Sequence, residues 1–214
     1  SAEDRDQMRE EYGVNAVFEV PTGVDTEFFT PSGKEKLDPH NVVFTGSMDW
    51  LPNEDAIRYY TEQILPIVRR SIPNATLTVV GRNPYPSLLE LSRQDPAIVV
   101  TGRVEDVRPY MERAAAYIVP LRIGGGTRLK IFEAMAMEKP IVSTTIGAEG
   151  LPVTDGRELR IADTPETFAA SVVDLLTKPE AARKLGQEAA RVVREKFGWN
   201  GVAKRFAEIC LKSV

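Results

Sequence analysis

Three consecutive glycines, Gly124, Gly125 and Gly126, run straight into Thr127, Arg128, Leu129 and Lys130 within the stretch RIGGGTRLKIFEAMAMEKP (Arg122–Pro140). Glycines let a backbone approach a ligand closely, and Thr127 suits the N-cap of a helix predicted to run to about Ala136. Arg128 and Lys130 then fall in the first turn, where each cation opposes the helix macrodipole at a cost of about 0.3–1 kcal/mol. A bound anion at that end reverses the sign. The same residues also suit an ordinary glycine loop before a core helix with two solvated basic side chains. Glu133 follows Lys130 by three residues, so the two side chains are neighbours on one helical face. They form either an i,i+3 ion pair or a site in which the carboxylate accepts hydrogen bonds from sugar hydroxyls. Glycine loop, cations and carboxylate in that order suit a nucleoside diphosphate.

The elements that must position these residues are legible as a rhythm that begins near His40. Val42–Gly46, Thr76–Gly81, Ala97–Gly102, Tyr117–Leu121, Ile141–Thr144 and Leu159–Ala162 are short apolar runs that read as strands, with helical periods between them. Asn53 is read as the cap of a helix carrying Ile57, Tyr60, Ile64, Leu65 and Val68, and Asp106 as the cap of a helix to about Ala115. Pro84–Arg93 reads as a short helix. This alternation predicts an α/β fold, a doubly wound parallel sheet of about six strands, followed by helices at Glu166–Leu176, Glu180–Lys196 and Trp199–Lys212. Those last helices either pack on the sheet or dock a second domain. Before the sheet, residues 2–12 read as a charged helix ended by Gly13, Val14–Val20 as a strand, and Val24–Pro39, with its prolines, as a linker.

Ligands of open parallel sheets bind beyond the carboxyl ends of the strands. Gly46-Ser47, Gly81-Arg82, Gly102-Arg103 and the triple glycine follow the first four predicted strands, so four permissive loops share one rim. Arg103 and Arg128 can bring charge to it.

The 214 residues are 43% hydrophobic, enough for a sizeable core, and carry a formal net charge of -4 with Lys and Arg scattered. That balance disfavours a general nucleic-acid or anionic-membrane binder. One histidine and one cysteine exclude a disulfide framework and give no metal site, so neither a metal nor another cofactor is expected. His40 is expected in the linker and Cys210 in the core. The absence of a long apolar run, and of a signal-peptide pattern in SAEDRDQMREEYG, predicts a cytoplasmic protein. Ser1 and the polar helix behind it predict a piece of a longer one. A Walker phosphate loop, a G-x-G-x-x-G after the first strand and a G-x-S-x-G nucleophile elbow are all missing.

FEVPTGVDTEFFTP (Phe18–Pro31), VVFTGSMDWLPNEDA, TGRVEDVRPYMERAAAYIVPLR, GGGTRLKIFEAMAMEKPIVST, GAEGL (Gly147–Leu151) and the closing FGWNGVAKRF resemble, as a set, the C-terminal donor-binding half of GT-B glycosyltransferases of the retaining family 4 kind. The resemblance implies a nucleotide-diphosphate sugar as donor and transfer to an acceptor glycan, lipid or other molecule with retention, in glycan or polysaccharide biosynthesis. It implies no metal. Gly46, Ser47, Thr127, Arg128 and Leu129 would lie beside the diphosphate and sugar, with Gly125 and Gly126 in the same loop. Arg103 and Val104 would meet the nucleobase. Glu133 matches the second of two family glutamates, the one that meets the ribose; Gly125 stands at the position of the first. The usual basic pair in the loop after the first strand is absent from GSMDWLPNEDA, so Arg128 and Lys130 are expected to stabilise the leaving diphosphate from the other side of the cleft.

The expected organisation is residues 1–39 as a remnant of an N-terminal domain and linker, 40–178 as the Rossmann-like donor domain, and 179–214 as helices packing on it or bridging to the missing domain. Acceptor binding would belong to that domain, as would any peripheral membrane association, and the isolated chain is expected to bind donor but not to transfer. A non-catalytic nucleotide-sugar-binding module and a sugar-nucleotide epimerase of GT-B architecture are the alternatives.

Overall fold

Val42, Val43 and Phe44 form an unbroken apolar run with almost no exposure, as a strand covered on both faces requires. They lie in β1 (Asp38–Thr45) of the computed structural model, which describes residues 2–14, 16–124, 126 and 128–212. With β2 (Thr76–Val80), β3 (Ile98–Val100), β4 (Ala114–Val119), β5 (Ile141–Ser143) and β6 (Arg160–Ile161) it forms a parallel sheet in the order β3-β2-β1-β4-β5-β6. This is the doubly wound order, in which the connection reverses direction between β1 and β4 and opens a crevice there. All six predicted strands are present.

Helices connect the strands. α1 (Ala2–Tyr12) precedes the sheet, and α2 (Leu51–Tyr59) leads through a π-helical turn, Tyr60–Ile64, into α3 (Leu65–Ser71). Pro66 has no N–H to return to Glu62, and the wide turn is closed instead by the Leu65 N–H bonding to the Tyr60 carbonyl. α4 (Pro86–Gln94), α5 (Arg108–Arg113) and α6 (Leu129–Ala136) cross to the next strands. α7 (Pro165–Thr177) begins in a capping box in which Thr164 and Thr167 bond each other's backbone N–H groups. It packs against α3 and reaches β4 and β5, with Phe168 edge-on to Tyr60 at 6.2 Å. α8 (Pro179–Phe197) packs on α6, where Phe197 stacks on Phe132 at 4.6 Å. α9 (Trp199–Lys212) closes the described chain, in which no helix is long and apolar enough to cross a membrane.

Several local expectations are corrected. Val14–Val20 is not a strand among the described residues: Phe18 is 55% exposed, and with no neighbouring strand the backbone has no ladder to join. His40 belongs to β1 rather than to a linker, with Nδ1 3.1 Å from the Asn74 amide. Asn53 is inside α2, which starts two residues earlier behind Trp50. Asp106 accepts from the Arg108 N–H at 2.9 Å, but Val107 holds the cap position, and α5 stops at Arg113 because Ala114 and the residues after it pair with β1. Cys210 is exposed on α9. Amphipathic spacing showed that α9 has an apolar face; nothing in it showed that the face would be covered.

The stretch read as a linker is anchored along its length. Val24 is buried and exchanges backbone hydrogen bonds with Phe197 and Trp199 at 2.8 and 3.1 Å. Arg108 donates to the Phe28 carbonyl and lies 3.8 Å over the Phe28 ring, while Glu112 accepts from Ser32 and from the Gly33 N–H.

Candidate functional site

Gly46 follows β1 and bonds through its N–H to the Val80 carbonyl, while a Cβ on Gly81 would stand 1.6 Å from the Gly46 oxygen. The first two loops therefore touch backbone to backbone, which only glycine at position 81 permits. Further contacts make them one body: the Met48 N–H bonds to the Arg82 carbonyl, Asn83 donates to Asp49, and Arg82 Nε donates to Ser47 Oγ at 2.8 Å.

Lys130 comes to this body from the first turn of α6. Its Nζ donates to Asn53 Oδ1 at 2.8 Å and lies 4.0 Å over the Phe44 ring, and Asn53 Nδ2 donates in turn to the Ser47 carbonyl at 2.8 Å. A Cβ on Gly46 would come within 2.8 Å of both Lys130 Nζ and Asn53 Nδ2, so the glycine makes room for the ammonium. Burial lowers the Lys130 pKa to about 7, helped by the nearby Arg128 charge and opposed by Glu133. Burial raises the pKa of Glu133, opposed by Lys130. Beneath them Thr45 and Tyr117 share a buried hydrogen bond of 2.5 Å.

A cleft of about 450 Å³ opens over these groups. It crosses the carboxyl ends of three neighbouring strands and the start of α6: Lys130 and Glu133 from α6, then Thr45 at the end of β1 with Gly46 and Ser47, Val80 at the end of β2 with Gly81 and Arg82, and Arg103, Val104 and Val107 after β3, with Phe29 closing it. Its cations, Lys130 on α6, Arg82 after β2 and Arg103 after β3, are spread along it, and its aliphatic side chains, Val80, Val104 and Val107, lie toward β2 and β3. That is the layout for a long ligand with an anionic part and an apolar part.

The structure thus brings Gly46, Ser47, Arg103, Val104, Lys130 and Glu133 to one cleft. Arg128 occupies the cap position before α6 rather than its first turn, because its backbone (φ -86°, ψ 80°) is not helical. It is 5% exposed, with its guanidinium against Gly124, and is not on the wall of this cleft. Leu129 and Gly126 are exposed. Gly125 and Thr127, and with them the expected Thr127 cap, lie outside the described residues. Arg122, at the base of the glycine loop, is fixed by two hydrogen bonds to the buried Asp55, at 2.6 and 3.1 Å, with Tyr59 4.5 Å beneath it.

Sequence reading did not single out Asn53, Arg82 or Phe29 for this site. Arg82 carried a usable signal, since it follows a strand-terminal glycine on the selected rim. Asn53 was masked by its plausibility as a helix cap, and Phe29 reaches the cleft only through the anchoring of its segment on α5.

The strand order and the cleft across the strand ends define a Rossmann-like α/β domain of the kind that GT-B glycosyltransferases contain. Residues 39–178 match the family described as Glycosyl transferases group 1, and the chain belongs to that family. It is 25% identical over 229 residues to the GDP-mannose-dependent alpha-(1-6)-phosphatidylinositol monomannoside mannosyltransferase of Mycolicibacterium smegmatis, an alignment covering 96% of this chain and 59% of the relative. Among solved structures, S. aureus TarM with Fondaparinux, alpha-GlcNAc-glycerol and UDP is similar with a TM-score of 0.79 at 14% identity, over 98% of this chain and 42% of that one. The C-terminal domain of LpcC, a glycosyl transferase group 1 family protein of Francisella tularensis, is similar with a TM-score of 0.66 at 16% identity, over 83% of this chain and all of that one. The chain spans about half the length of the curated relatives it matches.

Proposed function

We propose that this chain is the donor-binding half of a glycosyltransferase and that its cleft holds a nucleotide-diphosphate sugar. The observation that carries this reading is the half-buried Lys130 ammonium beside Gly46, in a cleft that also carries Arg82 and Arg103 and whose aliphatic side chains lie toward β3. The diphosphate would lie over Gly46-Ser47 against Lys130, and the nucleobase near Arg103, Val104 and Val107. Glu133, one turn along α6, would accept hydrogen bonds from ribose hydroxyls. TarM, which shares the fold, was crystallised with UDP.

In this reading the chain's cations act when the glycosidic bond to the donor phosphate breaks and charge builds on the leaving diphosphate. A preorganised ammonium in a partly water-excluded site stabilises that charge more in the transition state than in the ground state. Lys130 supplies it from the cleft wall and Arg128 supports it from behind. We extend the proposal to transfer with retention, without a metal, onto an acceptor held by an N-terminal domain to which residues 1–39 lead. Glycan or polysaccharide biosynthesis is the setting that the resemblance implies.

Calorimetric titration of the chain with UDP, GDP and ADP tests the donor site. One of the three is expected to bind, and ligand at a hundred times its Kd should raise stability by about 2.7 kcal/mol. Failure of all three at millimolar concentration removes the donor site from this chain.

A further inference from the structure

We propose that Arg82 is a second phosphate-binding residue, delivered from the loop after β2 and aimed by the Ser47 hydroxyl; the inference rests on the donor-site reading above. Arg82 lines the cleft, and its Nε donates to Ser47 Oγ at 2.8 Å. Among the described residues neither of its terminal amino groups has a hydrogen bond or ion pair, so both Nη groups remain as donors. A guanidinium offers five N–H donors in a planar fork that matches phosphate oxygens. Here one prong is spent on orientation.

The position fits the geometry of the loops. Gly81 and Gly46 touch, Met48 N–H bonds to the Arg82 carbonyl, and Asn83 and Tyr85 both bond to Asp49. Arg82 therefore stands on the same rigid body as Gly46 and Ser47. Lys130 reaches Gly46 from the α6 side, and Arg82 reaches Ser47 from the β2 side. An anion over Gly46-Ser47 would meet a cation on each flank. Glu133 also lines the cleft beside Lys130, and Arg103 stands at the β3 end, so Arg82 is the cation that adds positive charge on the β2 flank of Gly46-Ser47.

The test uses inorganic pyrophosphate, UDP, GDP and ADP as probes, titrated against the wild-type chain and the Arg82→Gln, Arg82→Lys and Ser47→Ala variants. Arg82→Gln should weaken pyrophosphate and whichever diphosphate binds by about tenfold, and should flatten the fall of affinity with added salt by close to one charge. Arg82→Lys should recover part of the loss, and Ser47→Ala should cost less than Arg82→Gln. Affinity for the parent nucleoside should not change. Wild-type-like diphosphate binding by Arg82→Gln, in a protein where Lys130→Met loses it, overturns the role of Arg82 and leaves the donor site standing. Absence of binding of every probe to the wild-type chain overturns both.

Discussion

Lys130 Nζ donates to Asn53 Oδ1 at 2.8 Å, joining the first turn of α6 to the first turn of α2 across the end of β1. Asn53 passes the link on to the Ser47 carbonyl, so helix, helix and strand-end loop meet in one chain of hydrogen bonds. The ammonium is thus held where it is poorly solvated, in place before any ligand arrives. Glu133, its expected i,i+3 partner, remains close enough to influence its charge, but the hydrogen bond goes to Asn53.

Replacing Lys130 by Met should separate binding from stability. Loss of a charged hydrogen bond to phosphate is expected to cost about 1.5–3 kcal/mol of diphosphate affinity. The folded state should lose little, because Met fills similar space and removes a poorly solvated ammonium. Calorimetry and urea unfolding on the same preparation check the two halves of this expectation.

Diphosphate affinity should be pH-dependent through the same group. The Lys130 pKa lies near 7 in the free chain, and a bound dianion must raise it, so affinity is flat below pH 7 and falls toward tenfold per unit above it. A nucleotide sugar is the ligand to use, because its phosphates do not titrate in this range. The Lys130→Met variant should show no such slope, and a wild-type affinity that stays level from pH 7 to 9 would contradict the assignment.

Two glycine-to-alanine changes should destabilise for similar reasons and differ in their effect on the cleft. A Cβ at Gly81 would stand 1.6 Å from the Gly46 oxygen, and one at Gly186 would stand 2.1 Å from the Glu138 oxygen. Each forces backbone apart, at a cost of about 1–3 kcal/mol. Gly81→Ala should also weaken ligand binding, whereas Gly186→Ala, at the contact between α8 and the residues following α6, should leave it intact. Thermal melts with and without ligand distinguish them.

Lys139 gives a stability prediction away from the cleft. It is 7% exposed, donates to the Glu112 carbonyl at 3.3 Å, and burial lowers its pKa to about 8 against the opposing effects of Glu112 and Glu138. Between pH 8 and about 10.5 the unfolded chain holds the proton that the folded chain has released, so stability rises with pH in that window. The rise attributable to this lysine is roughly 2–3 kcal/mol. In Lys139→Met it should vanish, as read from urea midpoints at pH 7.5 and 10, leaving Lys130 as the remaining lowered lysine among the described residues.

Local composition and periodicity were enough for the six strands, their parallel doubly wound arrangement and the rim on which the cleft opens. Val42-Val43-Phe44 and the equivalent runs are buried on both faces, a demand that local composition already states, and glycines follow them where the chain must turn toward the rim. The sequence also placed Gly46, Ser47, Arg103, Val104, Lys130 and Glu133, six residues that the fold gathers in one cleft. What it could not supply were contacts between segments remote in the chain. The Arg82–Ser47 bond spans 35 residues and the Lys130–Asn53 bond 77, and neither leaves a periodic trace. Tertiary pairing likewise decided that Ala114 and the residues after it extend along β1 although alanine favours helix, and that the described residues of Val14–Val20, whose alternation looks like a strand, join no ladder. Periodicity tells a segment which face to bury; only the assembled sheet tells it against what.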